Sequence, residues 1–128
     1  MTRRLLLDTH ALIWALSNPR RLPPGVAADI RNPESDVYVS AASTWEIAIK
    51  SALGKISADL AAIVTAARAA DFEELPVTIA HTQQLRTLPA HHCDPFDRLL
   101  VAQALAEGLT IVTHDQSIAA YSVSRLWT

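Results

Sequence analysis

The residues best placed to do chemistry in this 128-residue chain are four carboxylates, Asp8, Glu46, Asp97 and Asp115. Brought to one partly buried rim, they would repel one another and raise each other's pKa unless a cation neutralised them. Clustered carboxylate oxygens select a hard divalent ion, Mg²⁺ or Mn²⁺, rather than zinc. An ion held that way lowers the pKa of a bound water and clamps phosphate oxygens, as hydrolysis of a phosphodiester requires. No side-chain nucleophile is expected. Ser40 and Ser43 have no evident histidine partner, and Cys93 lacks the local features of an activated thiol.

Each acid also has a plainer explanation. Asp8 can end a strand and cap the helix after it, and Asp115 can cap the last helix. Glu46 can pair with Lys50 one turn on, an arrangement worth only about 0.2–0.5 kcal/mol. Asp97 at a third helical position is favoured by the macrodipole alone. The neighbours of two of them argue against a purely solvated role. Glu46 lies in the apolar run Trp45, Ile47, Ala48, Ile49, and Asp97 is flanked by Phe96, Leu99 and Leu100. The run His91–His92–Cys93–Asp94 looks like a metal cluster, but adjacent residues rarely ligate one ion together. No second Cys/His pair supports zinc, so the stretch reads as a loop entering a helix.

Placing these acids requires an α/β domain, because short apolar β-type runs alternate with longer helical ones around a largely parallel sheet. Leu5 to Leu7 form a strand ending at Asp8, and a helix from Thr9 to Leu16 stops before Asn18–Pro19. Pro23 and Pro24 open a helix to Arg31, and Val37 to Val39 make the second strand. Ser40 or Ser43 caps the helix carrying Glu46, with Gly54 as its stop. Ser57 or Asp59 starts an alanine-rich helix ending near Asp71. Glu74 to Val77 is a weak strand, interrupted by Pro76 and therefore short or at an edge, and Thr78 caps a helix to Leu88. Asp94–Pro95–Phe96–Asp97 is the strongest local signal, an N-cap acid, a proline at the first helical position and an acid at the third. It opens a helix to Gly108, followed by a strand over Leu109–Val112, a short helix to Tyr121 and an edge strand from Val123 to Trp127. Parallel strands with helical crossovers gather strand C-termini and helix N-termini on one edge, where open α/β sheets bind ligands. All four acids belong to that edge, although they span more than a hundred residues of chain.

The bulk properties set broader bounds. The chain is read as one domain over residues 1–128, half its residues are hydrophobic, and it is long enough to bury a core. A single cysteine suits a reducing compartment. The net charge of −2 offers no basic footprint for nucleic acid. Arg3, Arg4 and Leu5–Leu7 begin like a signal peptide, but Asp8 and His10 interrupt the run and Ser17–Asn18–Pro19 is no cleavage site. No stretch approaches the roughly 18 apolar residues of a membrane span. The chain reads as cytoplasmic, with no membrane partner.

Four segments resemble the PIN-domain ribonucleases, and within them the VapC-like toxins of type II toxin–antitoxin systems. Leu5-Leu6-Leu7-Asp8-Thr9-His10 is similar to the PIN opening, and Ser40-Ala41-Ala42-Ser43-Thr44-Trp45-Glu46-Ile47 to the segment whose glutamate reaches the metal. His92-Cys93-Asp94-Pro95-Phe96-Asp97-Arg98-Leu99-Leu100 resembles a characteristic VapC-type run, and Thr113-His114-Asp115 with Ile118 and Tyr121 the last acidic motif. Together they cover essentially the whole chain. The resemblance implies a three-layer α/β/α sandwich on a mostly parallel sheet, with Asp8, Glu46, Asp97 and Asp115 as metal-binding catalytic acids. It implies Mg²⁺ or Mn²⁺ as cofactor, endoribonuclease activity by in-line attack of a metal-activated water, a homodimer, and a cognate antitoxin docking near the acidic groove. Asp94 becomes the helix cap in support of Asp97, while the Thr9 and Thr113 hydroxyls would orient a metal-bound water or phosphate. His10 stands where many relatives carry asparagine. RNA contact falls to arginines, with Arg3, Arg4, Arg20, Arg21 and above all Arg98 as candidates. Two competing readings are a catalytically silent PIN-like scaffold that binds RNA or protein, and a phosphate-accepting receiver domain. The latter wants paired acids after the first strand and a lysine after the last. Here Asp8 stands alone and both lysines, Lys50 and Lys55, lie elsewhere.

Overall fold

The computed structural model describes residues 3–90 and 94–127. Strand β1 (Arg4–Leu7) is the spine of the fold, with Leu5, Leu6 and Leu7 all fully buried. A strand covered on both faces reads as a continuous apolar run rather than an alternating one, and that is the reason for the triple leucine. Leu5 and Leu7 face one core, built with α1 (Thr9–Ser17), α2 (Pro24–Arg31) and α4 (Leu60–Ala69). Leu6 faces the other, built with α6 (Pro95–Glu107) and α7 (Gln116–Ala119) and edged by Leu85 of α5 (Ile79–Leu85). Helix α3 (Ala41–Ala52) serves both, sending Ile47 to the first core and Ala42 to the second.

Strands β2 (Asp36–Ser40), β3 (Glu73–Leu75), β4 (Thr110–Val112) and β5 (Arg125–Leu126) complete a sheet of order β3-β2-β1-β4-β5. Every pairing is parallel, so the sheet is wholly rather than mostly parallel. The chain builds outward from β1 through β2 to β3, then returns to the far side of β1 with β4. That reversal opens a crevice outside the carboxyl ends of β1 and β4, the place where doubly wound sheets bind ligands. The register sets Leu7 beside Val112, so Asp8 and Thr113 leave the sheet side by side.

Local chemistry explains the boundaries. Ser40 rather than Ser43 caps α3, accepting from the Ala42 N–H, whereas the buried Ser43 hydroxyl has no hydrogen-bond partner among the described residues. Asp59, not Ser57, caps α4. Strand β3 stops at Leu75, before Pro76, whose missing N–H cannot extend a ladder, and it lies at the sheet edge as that proline requires. Helix α5 ends at Leu85, short of Leu88, and a 3₁₀ turn over Pro19–Arg21 follows α1. Of the last apolar segment only Arg125–Leu126 pairs with the sheet. Gly108 closes α6 in the left-handed conformation at φ 67°, which other residues adopt at a cost.

A buried polar chain fastens α6 to its surroundings. The Ser40 hydroxyl donates to the Gln103 side-chain Oε1, Gln103 Nε2 lies 3.4 Å from the His81 Nδ1, and His81 Nε2 reaches Glu107 at 2.9 Å. Buried polar groups cost free energy unless paired, so this chain fixes how α5 and α6 meet, and with them the start of α6. Among the described residues, no helix is long and apolar enough to cross a membrane.

Candidate active site

Asp8, Glu46, Asp97 and Asp115 line one cavity of about 410 Å³ at the C-terminal edge of the sheet, together with Thr9, His10, Trp14, Lys50, Asp94, His114 and Trp127. Asp8 is buried at the end of β1 and caps α1, its Oδ1 accepting from the Ala11 N–H at 2.8 Å. Asp115 caps α7 in the same way, with its Oδ1 2.8 Å from the Ser117 N–H. Asp94 caps α6 by accepting from Phe96 and Asp97, which fixes Asp97 in the first helical turn. The capping explanations are therefore true of Asp8 and Asp115, and they are also what aims both acids at the rim.

Glu46 is only 4% exposed. The Thr9 hydroxyl donates to its Oε1 and the Lys50 ammonium to its Oε2. Thr113, fully buried, donates its hydroxyl to Asp8 and accepts from the Asp115 N–H at 3.0 Å. Both threonines thus orient carboxylates. A hydroxyl has one proton to donate, and here each gives it to an acid. Arg98 is engaged by its own chain. Its guanidinium donates to the Pro89 carbonyl at 3.0 Å and the Tyr121 hydroxyl at 3.1 Å, and it does not line the cavity. His91, His92 and Cys93 lie outside the described residues.

Burial raises the Asp8 pKa above the ordinary carboxylate value. Hydrogen bonds from Thr113 and Ala11 and the nearby His10 oppose that rise, whereas the Asp115 charge adds to it. The Lys50 pKa is raised chiefly by its bond to Glu46, against desolvation, with further help from the charges of Asp94 and Asp97. Its ammonium is 3.9 Å from Asp94 and 5.6 Å from the Phe96 ring centroid. Lys50 is thus a tethered cation inside the acidic cavity.

Among the described residues, no three His, Cys, Asp or Glu side chains converge closely enough to form a finished ligand set. The donor chemistry nevertheless fits a hard divalent ion: oxygen ligands from several carboxylates, two of them buried, facing a single cavity. Lys50 supplies positive charge at Glu46, the place an ion would use. Lys50→Met is therefore expected to raise Mn²⁺ affinity about five-fold by removing a competing cation. In EDTA it should cost about 1–3 kcal/mol, since buried Glu46 loses a partner. Titration calorimetry and urea unfolding read the two effects, and unchanged Mn²⁺ affinity would show that the ammonium does not compete.

Residues that the sequence did not single out as site residues are Trp14, Lys50, His114 and Trp127. Trp14 lies one turn beyond His10, and His114 sits inside the Thr-His-Asp motif, so a signal existed for those two. Trp127 reaches the cavity only because β5 lies beside β4.

A wholly parallel α/β/α sandwich with acids at its switch point defines a family of known outline. The PIN domain profile matches residues 5–123, and the chain belongs to the PIN domain family. Its fold is similar to that of VapBC2 from Rickettsia felis bound to a DNA fragment from their promoter, with TM-score 0.70 at 14% identity over 96% of this chain and 97% of that one. It is also similar to FitAcB from Neisseria gonorrhoeae, with TM-score 0.60, 21% identity and coverage of 95% and 96%. VapBC-1 from nontypeable Haemophilus influenzae gives TM-score 0.59, 18% identity and coverage of 96% of both chains. No curated protein matches the chain by sequence.

Proposed function

We propose that this PIN-domain chain is a Mg²⁺- or Mn²⁺-dependent endoribonuclease and the toxin of a toxin–antitoxin pair. The observation that carries the reading is the presence of Asp8, Glu46, Asp97 and Asp115 on one cavity, delivered by four separate elements of a sheet switch point. Asp8, Glu46, Asp97 and Asp115 would hold the ion, which when bound supplies the Lewis acidity that activates water and stabilises charge on phosphate oxygens. Thr9 and Thr113 hold Glu46 and Asp8 in fixed orientations, and Asp94 holds Asp97 at the mouth of α6. Water would be the nucleophile, and among the described residues the cavity lining holds no serine or cysteine.

The likeness of fold to VapBC2 and FitAcB supports the toxin assignment and a cognate antitoxin. A stripe of exposed apolar residues, Trp45 and Ile49 on α3 and Leu53 at its C-terminal cap, supports a protein partner beside the acidic rim, and homodimerisation is part of the same proposal. The test is cleavage of a mixed structured RNA with Mn²⁺, with Mg²⁺ and with EDTA, alongside Asp97→Asn prepared identically. Metal-dependent cutting, lost by more than about a hundred-fold in the variant, is expected. Equal cutting by both proteins would remove Asp97 from the site, and binding without cutting by the wild type would favour the silent scaffold.

A further inference from the structure

One wall of the acidic cavity is aromatic. His114 stacks on Trp127 with ring centroids 5.0 Å apart and planes 17° from parallel. Trp127 meets Trp14 edge to face at 5.5 Å, and Trp14 meets His10 at 5.7 Å. The Arg21 guanidinium lies 4.4 Å from the Trp14 ring centroid. All four rings line the same cavity as the acids. Trp14 and Trp127 are half-buried against the core, which makes them a rigid backing, while His114 is exposed and forms the outer plane of the stack. Trp127 is held at φ 76°, a left-handed backbone that a bulky residue rarely adopts, and such strain collects where a side chain must be aimed.

We infer that the His114–Trp127 stack is a platform for one unstacked base of a single-stranded RNA, next to the phosphate that the acids act on. The inference rests on the nuclease reading and adds which side chains hold a base beside the acids. His114 is the chain neighbour of Asp115 and lines the same cavity, so a base on its outer face would lie beside the acids. A flat π surface accepts any base face, and only a strand whose bases are free can present one. The Arg21 guanidinium over the Trp14 ring adds positive charge behind this wall, which attracts a phosphate backbone without reading sequence. A protein segment suits this wall less well, because ionisable groups border it and the apolar stripe of α3 lies elsewhere.

The experiment measures binding by fluorescence anisotropy, with Ca²⁺ as the only divalent ion. The probes are a single-stranded oligoadenylate, a strand of equal length with abasic riboses, and the oligoadenylate–oligouridylate duplex. The wild type is expected to favour the oligoadenylate over the other two by about ten-fold. His114→Ala, at an exposed position and checked by circular dichroism, should lose that preference, and His114→Tyr should keep it. In cleavage, His114→Ala should raise KM with little change in kcat. If His114→Ala bound all three probes as the wild type does, or if the wild type did not distinguish abasic from oligoadenylate, the platform would be overturned with the nuclease reading intact. The stack would then fall to a protein partner. A wild type that bound none of the probes and cut no RNA would overturn both.

Discussion

Asp8→Asn is expected to abolish metal-dependent cleavage, by more than about a hundred-fold, while making the protein more stable in EDTA at neutral pH. The two effects have one origin. Burial raises the Asp8 pKa in the folded state above its ordinary value of 3.8, so folding favours the protonated carboxyl. The stability that Asp8 contributes is therefore complete below that value and is lost as pH rises through the higher folded one. Asparagine carries no charge to desolvate, and its side-chain oxygen can still accept from Ala11 to cap α1. The advantage of the variant should thus be absent at about pH 3 and grow as pH rises. The ionised carboxylate needed for an ion becomes available over the same range, so the affinity of the wild type for Mn²⁺ should increase with pH. Urea unfolding across pH, in EDTA, checks the first statement. A variant less stable than the wild type at neutral pH would mean that the Asp8 carboxylate is favourably compensated by its surroundings.

The second large effect concerns the scaffold. Leu6→Ala is expected to cost about 3–4 kcal/mol of unfolding free energy, within the range for leucine truncation at a site that cannot collapse. Leu6 is fully buried in the middle strand, paired with Tyr38 on one side and Ile111 on the other, and packed in the core formed by Leu100, Val101 and Ile118. Helices cover both faces of the sheet there, so the void has little means of closing. The urea midpoint should fall with an unchanged slope. Cleavage per folded molecule should persist, because Asp8 is anchored by its own cap and by its N–H to the Val112 carbonyl at 3.1 Å. A loss below about 1 kcal/mol would mean that β1 is not the packed spine described above.

Much of this arrangement was legible in short stretches of sequence because its causes are local. Asp94–Pro95 fixed the start of α6, Leu5–Leu7 announced a strand buried on both faces, and the proline after Leu75 put β3 at an edge. The gathering of the acids followed from topology, since parallel strands with helical crossovers send these positions to one rim. Contacts between distant segments were not legible. Whether Ser40 or Ser43 caps α3 is decided by Gln103, sixty-three residues away. The orientation of the Thr9 hydroxyl is decided by Glu46 and that of Thr113 by Asp8. Arg98, beside Asp97 in sequence, turns to Tyr121 because helical geometry separates the two side chains. Lys50 had suggested only a solvated pair, and the fold puts that pair in the cavity. The His114–Trp127 stack needed β5 to pair with β4, which no local pattern encodes.

We propose that acids from four separate elements hold the catalytic divalent metal. The most direct test is anomalous diffraction from crystals grown with Mn²⁺. A peak in the cavity at coordinating distance from Asp8 and at least two of Glu46, Asp97 and Asp115, with Lys50 drawn off Glu46 where that acid ligates, is the predicted result. A cavity without a peak at saturating Mn²⁺, with Lys50 still seated on Glu46, would contradict it.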